Sequence, residues 1–338
     1  MRLYCGIDLH SNNVFIVVLD ESDRVELRCR LPNELSLILS ALEPHRSELA
    51  GVVVESTFNW YWLVDGLMDA GYKVHLANPG AMQQYRGLKH ADDRTDARWL
   101  AHMLRIGLLP EGYIYPREQR GLRDLLRRRM RLAQQRTAVV LSLQNLIWRS
   151  TGRRLSRRAL EGTDAAELLA PIGDTNVILA VESTQAVARC LDLEVDRLEK
   201  EVLRQLRPDP LFGLLKSVSG VGDILAPTIR LETGEVGRFA DAGHYVSYCR
   251  CVGSRHLSNN KTKGHGNTKN GNPYLAWAWL EAAIFAIRYQ PAVHRYFERK
   301  KARTHRVVAL KTVAHKLARA GYYVMRDRVQ FQIELAFG

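Results

Sequence analysis

Acid is in short supply in this chain of 338 residues, where 36 Asp and Glu stand against 49 Lys and Arg, a formal net charge of +13. With a pI of 9.7, that shortage points to a polyanionic partner. Cysteine is scarce as well. Five of them, an odd number at irregular spacing, argue against a disulfide framework and fit a reducing compartment. Cys249 and Cys251 with His256 form a C-x-C and a histidine without a second pair, a weak basis for zinc. Long apolar runs are missing too: none approaches a membrane span, and "MRLYCGIDLHSNN" meets charge and polar residues before any apolar stretch of leader length. The expectation is a soluble cytoplasmic protein. Its 46% hydrophobic and 25% charged residues are ordinary for globular domains, and the length suffices for more than one core.

The charge is unevenly placed. Residues 1 to 105 carry 11 Lys and Arg against 14 Asp and Glu, whereas residues 120 to 158 carry twelve arginines and one acid, Asp124. They include Arg120, Arg123, Arg127, Arg128, Arg129, Arg131, Arg136, Arg153, Arg154, Arg157 and Arg158. A solvated helix face usually mixes signs and uses lysine. Arginine alone suits the bidentate fork to phosphate, so the segment reads as nucleic-acid binding.

"LYCGID" and "VFIVVL" are two apolar or β-branched runs joined by "LHSNN", a pair of strands and a turn, and "RVELRCRL" predicts a third. Leu35, Leu37, Ile38, Leu39 and Leu42 have helical spacing. "GVVVE", residues 51 to 55, reads as a central buried strand, "WYWLVDGLMDAG" as a helix closed by Gly71, and "KVHLAN" as a further strand. Strands alternating with helices predict an α/β layer fold. From about residue 118 to 148 apolar pairs recur every seven residues, at Leu125/Leu126, Leu132/Ala133, Val139/Val140 and Leu146/Ile147, as in a coiled coil. A second such helix runs through Leu191, Val195, Leu198 and Val202. The two predict an antiparallel hairpin or a dimerising arm. Beyond "RPDPLFG", the segment "LLKSVSGVGDILAPTIRLETG" turns at Gly220 and Gly222 between two helical patterns. It reads as a helix-hairpin-helix that meets phosphate, or as a packing corner.

Four carboxylates share a pattern. Asp8 ends the first strand and Glu55 ends "GVVVE", while Asp93 and Asp96 stand three apart at a helix start and so share a face. Capping explains one or two of them. It does not explain a carboxylate at the end of each of two buried strands, since an uncompensated buried charge costs several kcal/mol. Two Mg²⁺ ions about 3.5 to 4 Å apart would neutralise the cluster and clamp a phosphodiester. Strand Asp, later strand Glu, then a helix Asp pair is the layout of the ribonuclease H-like fold. Actin-like and sugar-kinase ATPases share the opening "GID", but they want glycine in the following turn, and "DLHSNN" has none.

"CVGSRHLSNNKTKGHGNTKNGNPYLAWAWLEAA", residues 251 to 283, holds no acid between Arg250 and Tyr274. Arg255, Lys261, Lys263 and Lys269 alternate there with small and amide side chains. It reads as a flexible cationic loop around a nucleophile, with Ser258 and Ser254 as the available hydroxyls.

"GID" at Asp8, "VVVEST" at Glu55, "ADDRTDARWLA" at Asp93 and Asp96, "SVSGVG", "LSNNKTKGHGNTKNGNPYLAWA" and the terminal "ALKTVAHKLARAGY" together resemble the DEDD transposases of the insertion-sequence one-ten family. These are serine recombinases guided by a bridge RNA, and the likeness is to the eleven-eleven subgroup. It runs nearly end to end. The resemblance implies a RuvC-like resolvase domain whose Asp8, Glu55, Asp93 and Asp96 bind Mg²⁺, and a C-terminal transposase domain whose nucleophile is Ser258. It implies that Ser258 Oγ attacks DNA to leave a phosphoserine link, with His256 and His265 as phosphate contacts. It further implies that the basic arm helps hold a non-coding RNA and links protomers of a dimer or tetramer, which is nucleoid-associated when on DNA. The family commonly reads K-T-D-x-x-D-A where this chain has "DDRTDA", so Asp92 is a third acid in the turn, supporting or capping.

The expected architecture is therefore a multidomain α/β plus α protein. Residues 1–110 are the RuvC-like metal-binding domain, 111–208 a basic coiled-coil arm and 209–338 a mainly helical transposase domain. The expected function is an RNA-guided, Mg²⁺-dependent DNA recombinase joining donor and target DNA. A junction-resolving nuclease that uses water would need the carboxylates and not Ser258. A non-catalytic nucleic-acid binder would need the arginines alone.

Overall fold

A computed structural model describes residues 1–82, 93–156, 159–160, 170–253, 255–258, 261–265 and 270–338. Of the residues singled out above, Asp92, Arg157, Arg158, Ser254 and Lys269 lie outside the described residues. The chain divides into two compact units, Met1–Arg117 and Glu118–Gly338, the first mixed α/β and the second mostly helical.

In the first unit, β1 (Leu3–Leu9), β2 (Asn13–Leu19), β3 (Val25–Pro32), β4 (Leu49–Glu55) and β5 (Val74–Ala77) form a sheet of order β3-β2-β1-β4-β5. β2 is antiparallel to β1 and β3, while β4 is parallel to β1 and β5. The strand expected at the centre, "GVVVE", is β4, one place off the middle, because β2 doubles back and makes β1 the central strand. β1 and β2 read as continuous apolar runs because both faces of the sheet are covered. On one face Cys5, Ile7, Val14, Ile16, Val18, Val52 and Val54 pack with Ile38 and Leu42 of α1 (Leu35–Leu42) and Leu63, Val64 and Leu67 of α2 (Tyr61–Asp69). The alternate residues Phe15, Val17 and Leu19 meet Ala97 and Ala101 of α3 (Asp93–Arg105), and Val53 and Ala77 meet its Leu100. The period of two along each strand makes this division.

α3 lies so close to β1 that a side chain cannot fit between them. A Cβ on Gly6 would stand 2.0 Å from the Ala97 carbonyl oxygen and 2.7 Å from the Ala101 nitrogen. The far end of α3 is tied to the β2–β3 turn. Asp23, at φ 67, accepts hydrogen bonds from His102 Nδ1 at 2.9 Å and Arg105 Nε at 3.1 Å. Desolvation works against the Asp23 charge, but the His102 hydrogen bond and the charges of His102, Arg105 and Arg98 outweigh it and hold the carboxyl below its usual range.

The second unit is built on two long helices, α4 (Arg117–Thr151) and α5 (Thr175–Leu206). They run antiparallel within the one chain. Arg129 pairs with Glu199, and Arg136 Nη1 with Asp192 Oδ1 at 2.9 Å, so seven residues forward on α4 match seven back on α5. Leu126 and Val202 share one core, Ile147 and Val181 another, and both pairs keep that register. α5 begins well before the Leu191 at which its pattern becomes legible. Its first turns, through "VESTQAV", are rich in β-branched and hydroxyl side chains of modest helix propensity. Packing of Val181, Gln185 and Ala188 overrides that preference, and Asp174 caps the start by accepting from the Asn176 nitrogen at 2.8 Å.

Among the described residues the second unit continues with the α-helices α6 (Pro210–Lys216), α7 (Leu225–Thr233), α8 (Ala242–Tyr248), α9 (Pro273–Tyr289), α10 (Pro291–Lys301), α11 (Arg306–Asp327) and α12 (Ile333–Phe337). α9 is the hub. Its Trp279 is fully buried and donates Nε1–H to the Tyr245 hydroxyl at 3.3 Å. Gly321 of α11 leaves room for that indole, since a Cβ there would lie 2.3 Å from the ring.

One polar network runs through this core. Glu232 of α7, with its side chain 1% exposed, accepts from Arg127 Nε at 2.6 Å and Nη2 at 2.7 Å and from Asn272 Nδ2 at 2.7 Å. Asn272 Oδ1 in turn caps α9, accepting from the nitrogens of Tyr274 and Leu275, and the Arg127 guanidinium lies 4.6 Å from the Tyr274 ring centroid. Burial disfavours the Arg127 cation, but the hydrogen bonds and charge of Glu232 outweigh it and raise its pKa above the usual arginine value.

Four outcomes follow for stability. Gly6→Ala is expected to cost about 3 kcal/mol or more in urea unfolding, by overpacking against backbone. Gly121→Ala, in the exposed interior of α4 where a Cβ meets nothing within 4 Å, should gain about 0.5–1 kcal/mol. Glu232→Gln should lose about 2–3 kcal/mol, since it removes the charge from a pair in which Glu232 is buried and Arg127 one-third exposed. The double replacement Arg127→Met/Glu232→Met should recover part of that loss, Asn272 Nδ2 then lacking its acceptor. The Asp23 contribution is present above the unfolded pKa of about 3.9 and lost as pH falls through the lower folded value. The stability gap between wild type and Asp23→Ala is therefore expected to be open at about pH 5 and to close below about pH 4.

Candidate functional site

The carboxylates come from three elements whose directions can be traced. β1 pairs with β4 so that Gly6 faces Val53 and Ile7 faces Val54; one step further, Asp8 stands beside Glu55. By alternation Asp8 shares the face of Gly6, and Glu55 that of Val53, which is the face α3 covers. Along that face α3 is ordered. Leu104 reaches Gly51, Ala97 and Ala101 cover Gly6, and Arg105 holds the β2–β3 turn beyond Leu19. The N-terminus of α3 therefore points to the strand ends that carry Asp8 and Glu55. Asp96 precedes Ala97 by one residue, and Asp93, the first residue of the helix, precedes it by one turn.

Asp8 is 4% exposed, and its Oδ2 lies 3.3 Å from His10 Nε2. Glu55 and Asp96 are half-buried. The loop after β1 is fastened by two amides from distant segments: Asn33 Nδ2 and Asn59 Nδ2 each donate to the His10 carbonyl at 3.1 Å. Thr57 Oγ1 donates to Asn59 Oδ1 at 2.9 Å. His10, Asn33 and Asn59 are the residues that sequence reasoning missed, and nothing in their spacing marks them. Among the described residues no group of three or more His, Cys, Asp or Glu forms a ready metal-ligand set.

The segment expected as a flexible loop is instead a hairpin over its described residues. β6 (Arg255–Ser258) pairs antiparallel with β7 (Lys261–His265), with Arg255 opposite His265 and Ser258 opposite Lys261. Ser258 is thus the last residue of its strand, two residues from the next. Lys263 lies within β7. Both ends of the segment are tied down. Arg250 Nη2 donates to the Gly271 carbonyl at 2.9 Å, and the Asn272 nitrogen to the Tyr248 carbonyl at 2.7 Å. Gly271 takes φ 86, and a Cβ on it would meet the Tyr248 carbonyl oxygen at 2.5 Å. Asn272 then connects this base to Glu232 and Arg127. Cys249 and Cys251 are buried beside it. Burial, with the neighbouring Cys251, keeps the Cys249 thiol well above its usual pKa, and burial pushes Cys251 up to about 12, so both are protonated core residues.

The arginines of α4 divide. Arg127, Arg129 and Arg136 are engaged by Glu232, Glu199 and Asp192, and Arg120 is buried. Nucleic-acid contact was the expectation for these four; in the chain alone the first three are paired with acids and Arg120 is packed into the second unit. Arg123 is half-buried, while Arg128, Arg131, Arg153 and Arg154 are exposed. The two glycines of "SVSGVG" divide as well. A Cβ on Gly220 would lie 2.1 Å from the Ala282 carbonyl oxygen of α9, so this glycine serves packing, whereas Gly222 opens to free space.

Comparison with known proteins bears on the same residues. A family model described as "Transposase", of the DEDD type, matches residues 5–149, and the model "Transposase IS116/IS110/IS902 family" matches residues 213–298. The chain is 24% identical over 238 residues to a "Probable family 20 transposase" of Pseudomonas aeruginosa, covering 68% of each. It is 23% identical over 188 residues to an "Insertion element IS110 uncharacterized 43.6 kDa protein" of Streptomyces coelicolor, covering 55% of this chain and 46% of that one. The "Transposase for insertion sequence element IS1111A" of Coxiella burnetii is 22% identical over 238 residues, 68% of this chain and 63% of the relative. The two models fall on the α/β unit with the first long helix and on the helices around the serine hairpin. The chain therefore belongs to the IS110 family of insertion-sequence transposases.

Proposed function

We propose that this transposase is an RNA-guided, Mg²⁺-dependent DNA recombinase that moves its own insertion sequence, acting in the cytoplasm on donor and target DNA. The observation that carries the reading is the meeting of β1, β4 and the N-terminus of α3 at one end of one sheet face. The strand order and directions of the sheet suit a RuvC-like, ribonuclease H-like domain. The donor set fits a hard cation. Asp8 is buried, and the acids on the adjoining elements offer carboxylate oxygens, which Mg²⁺ prefers. Asp8, Glu55, Asp93 and Asp96 would hold it, two ions per site being the usual number for phosphodiester chemistry. When bound, Mg²⁺ supplies positive charge against the phosphate and acidifies a nearby hydroxyl.

The chain's own residues do the rest. Ser258, at the end of β6, offers Oγ to the phosphorus of one DNA strand. The Oγ–P bond forms, the P–O3′ bond breaks, and the hydroxyl proton passes to the departing 3′ oxygen, leaving a 5′-phosphoserine link. Attack by a second 3′-hydroxyl reverses the step on a new strand. Arg255, Lys261, Lys263 and Lys269, with His256 and His265, steady the phosphates around it. Exposed Arg128, Arg131, Arg153 and Arg154, together with Arg123, Arg157, Arg158 and Gly222, meet nucleic-acid backbone, including a bridge-type guide RNA. In this reading residues 1–110 are the metal-binding domain, 111–208 a coiled-coil arm and 209–338 the serine domain, and a dimer or tetramer brings the parts together.

The test is to trap the intermediate. Incubation of the purified protein with its element's flanking RNA, labelled donor and target DNA and Mg²⁺ should yield a covalent protein–DNA product on a denaturing gel. The band is expected to vanish in Ser258→Ala, persist in Ser254→Ala and fall by two orders of magnitude or more in Asp8→Asn, roughly the loss of one transition-state contact. Cleavage without a covalent band, unaffected by Ser258→Ala, would instead assign the attack to water and the activity to a junction-resolving nuclease.

A further inference from the structure

The end of the chain holds a second acid-free stretch. From Arg299 to Arg326 there are nine Lys and Arg and no Asp or Glu. Glu298, the one acid between Arg288 and Arg326, is taken by Lys301 Nζ at 3.1 Å. On α10, Tyr296 gathers three cations around its ring: Arg299 at 6.0 Å, Lys300 at 5.7 Å and Lys316 of α11 at 5.0 Å from the centroid. Like charges so gathered repel, and the ring face offsets only part of that. An anion among them would remove the remainder. Arg295, Arg303 and Arg306, close by in sequence, are exposed as well.

Where α9 hands over to α10, two aromatic rings stand in solvent. Phe285 and Tyr289 are 43% and 66% exposed. Their rings lie 8° from parallel with centroids 6.4 Å apart, and the Arg288 guanidinium stands 5.9 Å from the Tyr289 centroid. Two neighbouring exposed rings with a guanidinium beside them offer flat faces on which a base can stack. Rings for bases and unneutralised cations for phosphates are the two components of a single-strand surface. A duplex, whose bases are already stacked, would use the cations alone.

We propose that Phe285 and Tyr289 stack bases of an unpaired nucleic-acid strand whose phosphates are held by Arg299, Lys300 and Lys316. This rests on the reading that the protein acts on nucleic acid and adds the surface and the strand state it takes. The family model for the C-terminal region ends at residue 298, where this basic run starts.

Fluorescence anisotropy of the full-length protein with labelled oligo-dT, oligo-rU and a blunt DNA duplex, each of about fifteen nucleotides or pairs, tests it. Phe285→Leu/Tyr289→Ser should weaken single-strand binding about tenfold while duplex binding stays within about twofold, and Tyr289→Phe should bind as wild type. Arg299→Gln/Lys300→Gln should lower the slope of log affinity against log salt by about 1.4 on single strands. Loss confined to oligo-dT assigns the strand to DNA, and loss confined to oligo-rU to RNA. Equal loss on the duplex would overturn the unpaired strand. Unchanged binding by both variants would overturn the surface, as would a ring variant that alters only the sedimenting mass and so marks an interface between copies. Wild-type protein that binds none of the three probes would overturn the nucleic-acid reading itself, a result distinct from indifferent variants.

Discussion

The candidate site depends on one contact between backbones. Gly6 has no side chain, and Ala97 and Ala101 have the smallest, so α3 settles directly on β1. That contact fixes the height of the helix over the sheet. The tie of Arg105 and His102 to Asp23 fixes its direction and rotation. With both set, the helix start has one place to go, above the strand ends that bear Asp8 and Glu55. The elements that carry the acids are brought to one end of the sheet face by apolar burial and a close fit elsewhere along their length.

The second unit is organised on the opposite principle, around a charge placed deep inside. Glu232 gathers a guanidinium from the long helix, an amide from the cap of α9 and, through that amide, the base of the serine hairpin. Three segments far apart in sequence meet on two carboxylate oxygens. Such a junction is costly to bury and specific once made, because few arrangements satisfy every donor at once. The aromatic hub of Trp279, Tyr245 and Gly321 supplies the apolar burial beside it.

Much of this was legible in the sequence, and the reasons for the rest are physical. The strands of the first unit announce themselves because a doubly covered sheet needs unbroken apolar runs. The Asp-Glu-Asp pattern stood out because buried strand ends rarely carry acids. The hairpin around Ser258 did not, since "RHLS" and "KTKGH" are polar on both faces and strand pairing there comes from the partner strand. The roles of Arg129 and Arg136 were hidden for a related reason: their partners lie on α5, and the register between two helices is a property of the fold. Gly220 and Gly222 look alike in "SGVG", yet one faces α9 and the other faces solvent. The basic run after Arg299 was countable, but its apolar spacing reads as an ordinary terminal helix.

The matched spacing of α4 and α5 also bears on how this helix pair can change in length. The two inward ion pairs stand seven residues apart on one helix and seven on the other. One or two residues inserted between Arg129 and Arg136 would turn one of these arginines away from its acid, at about 100° per residue. Seven added to both helices would keep the pairs and the apolar seam in step and lengthen the pair by about 10.5 Å.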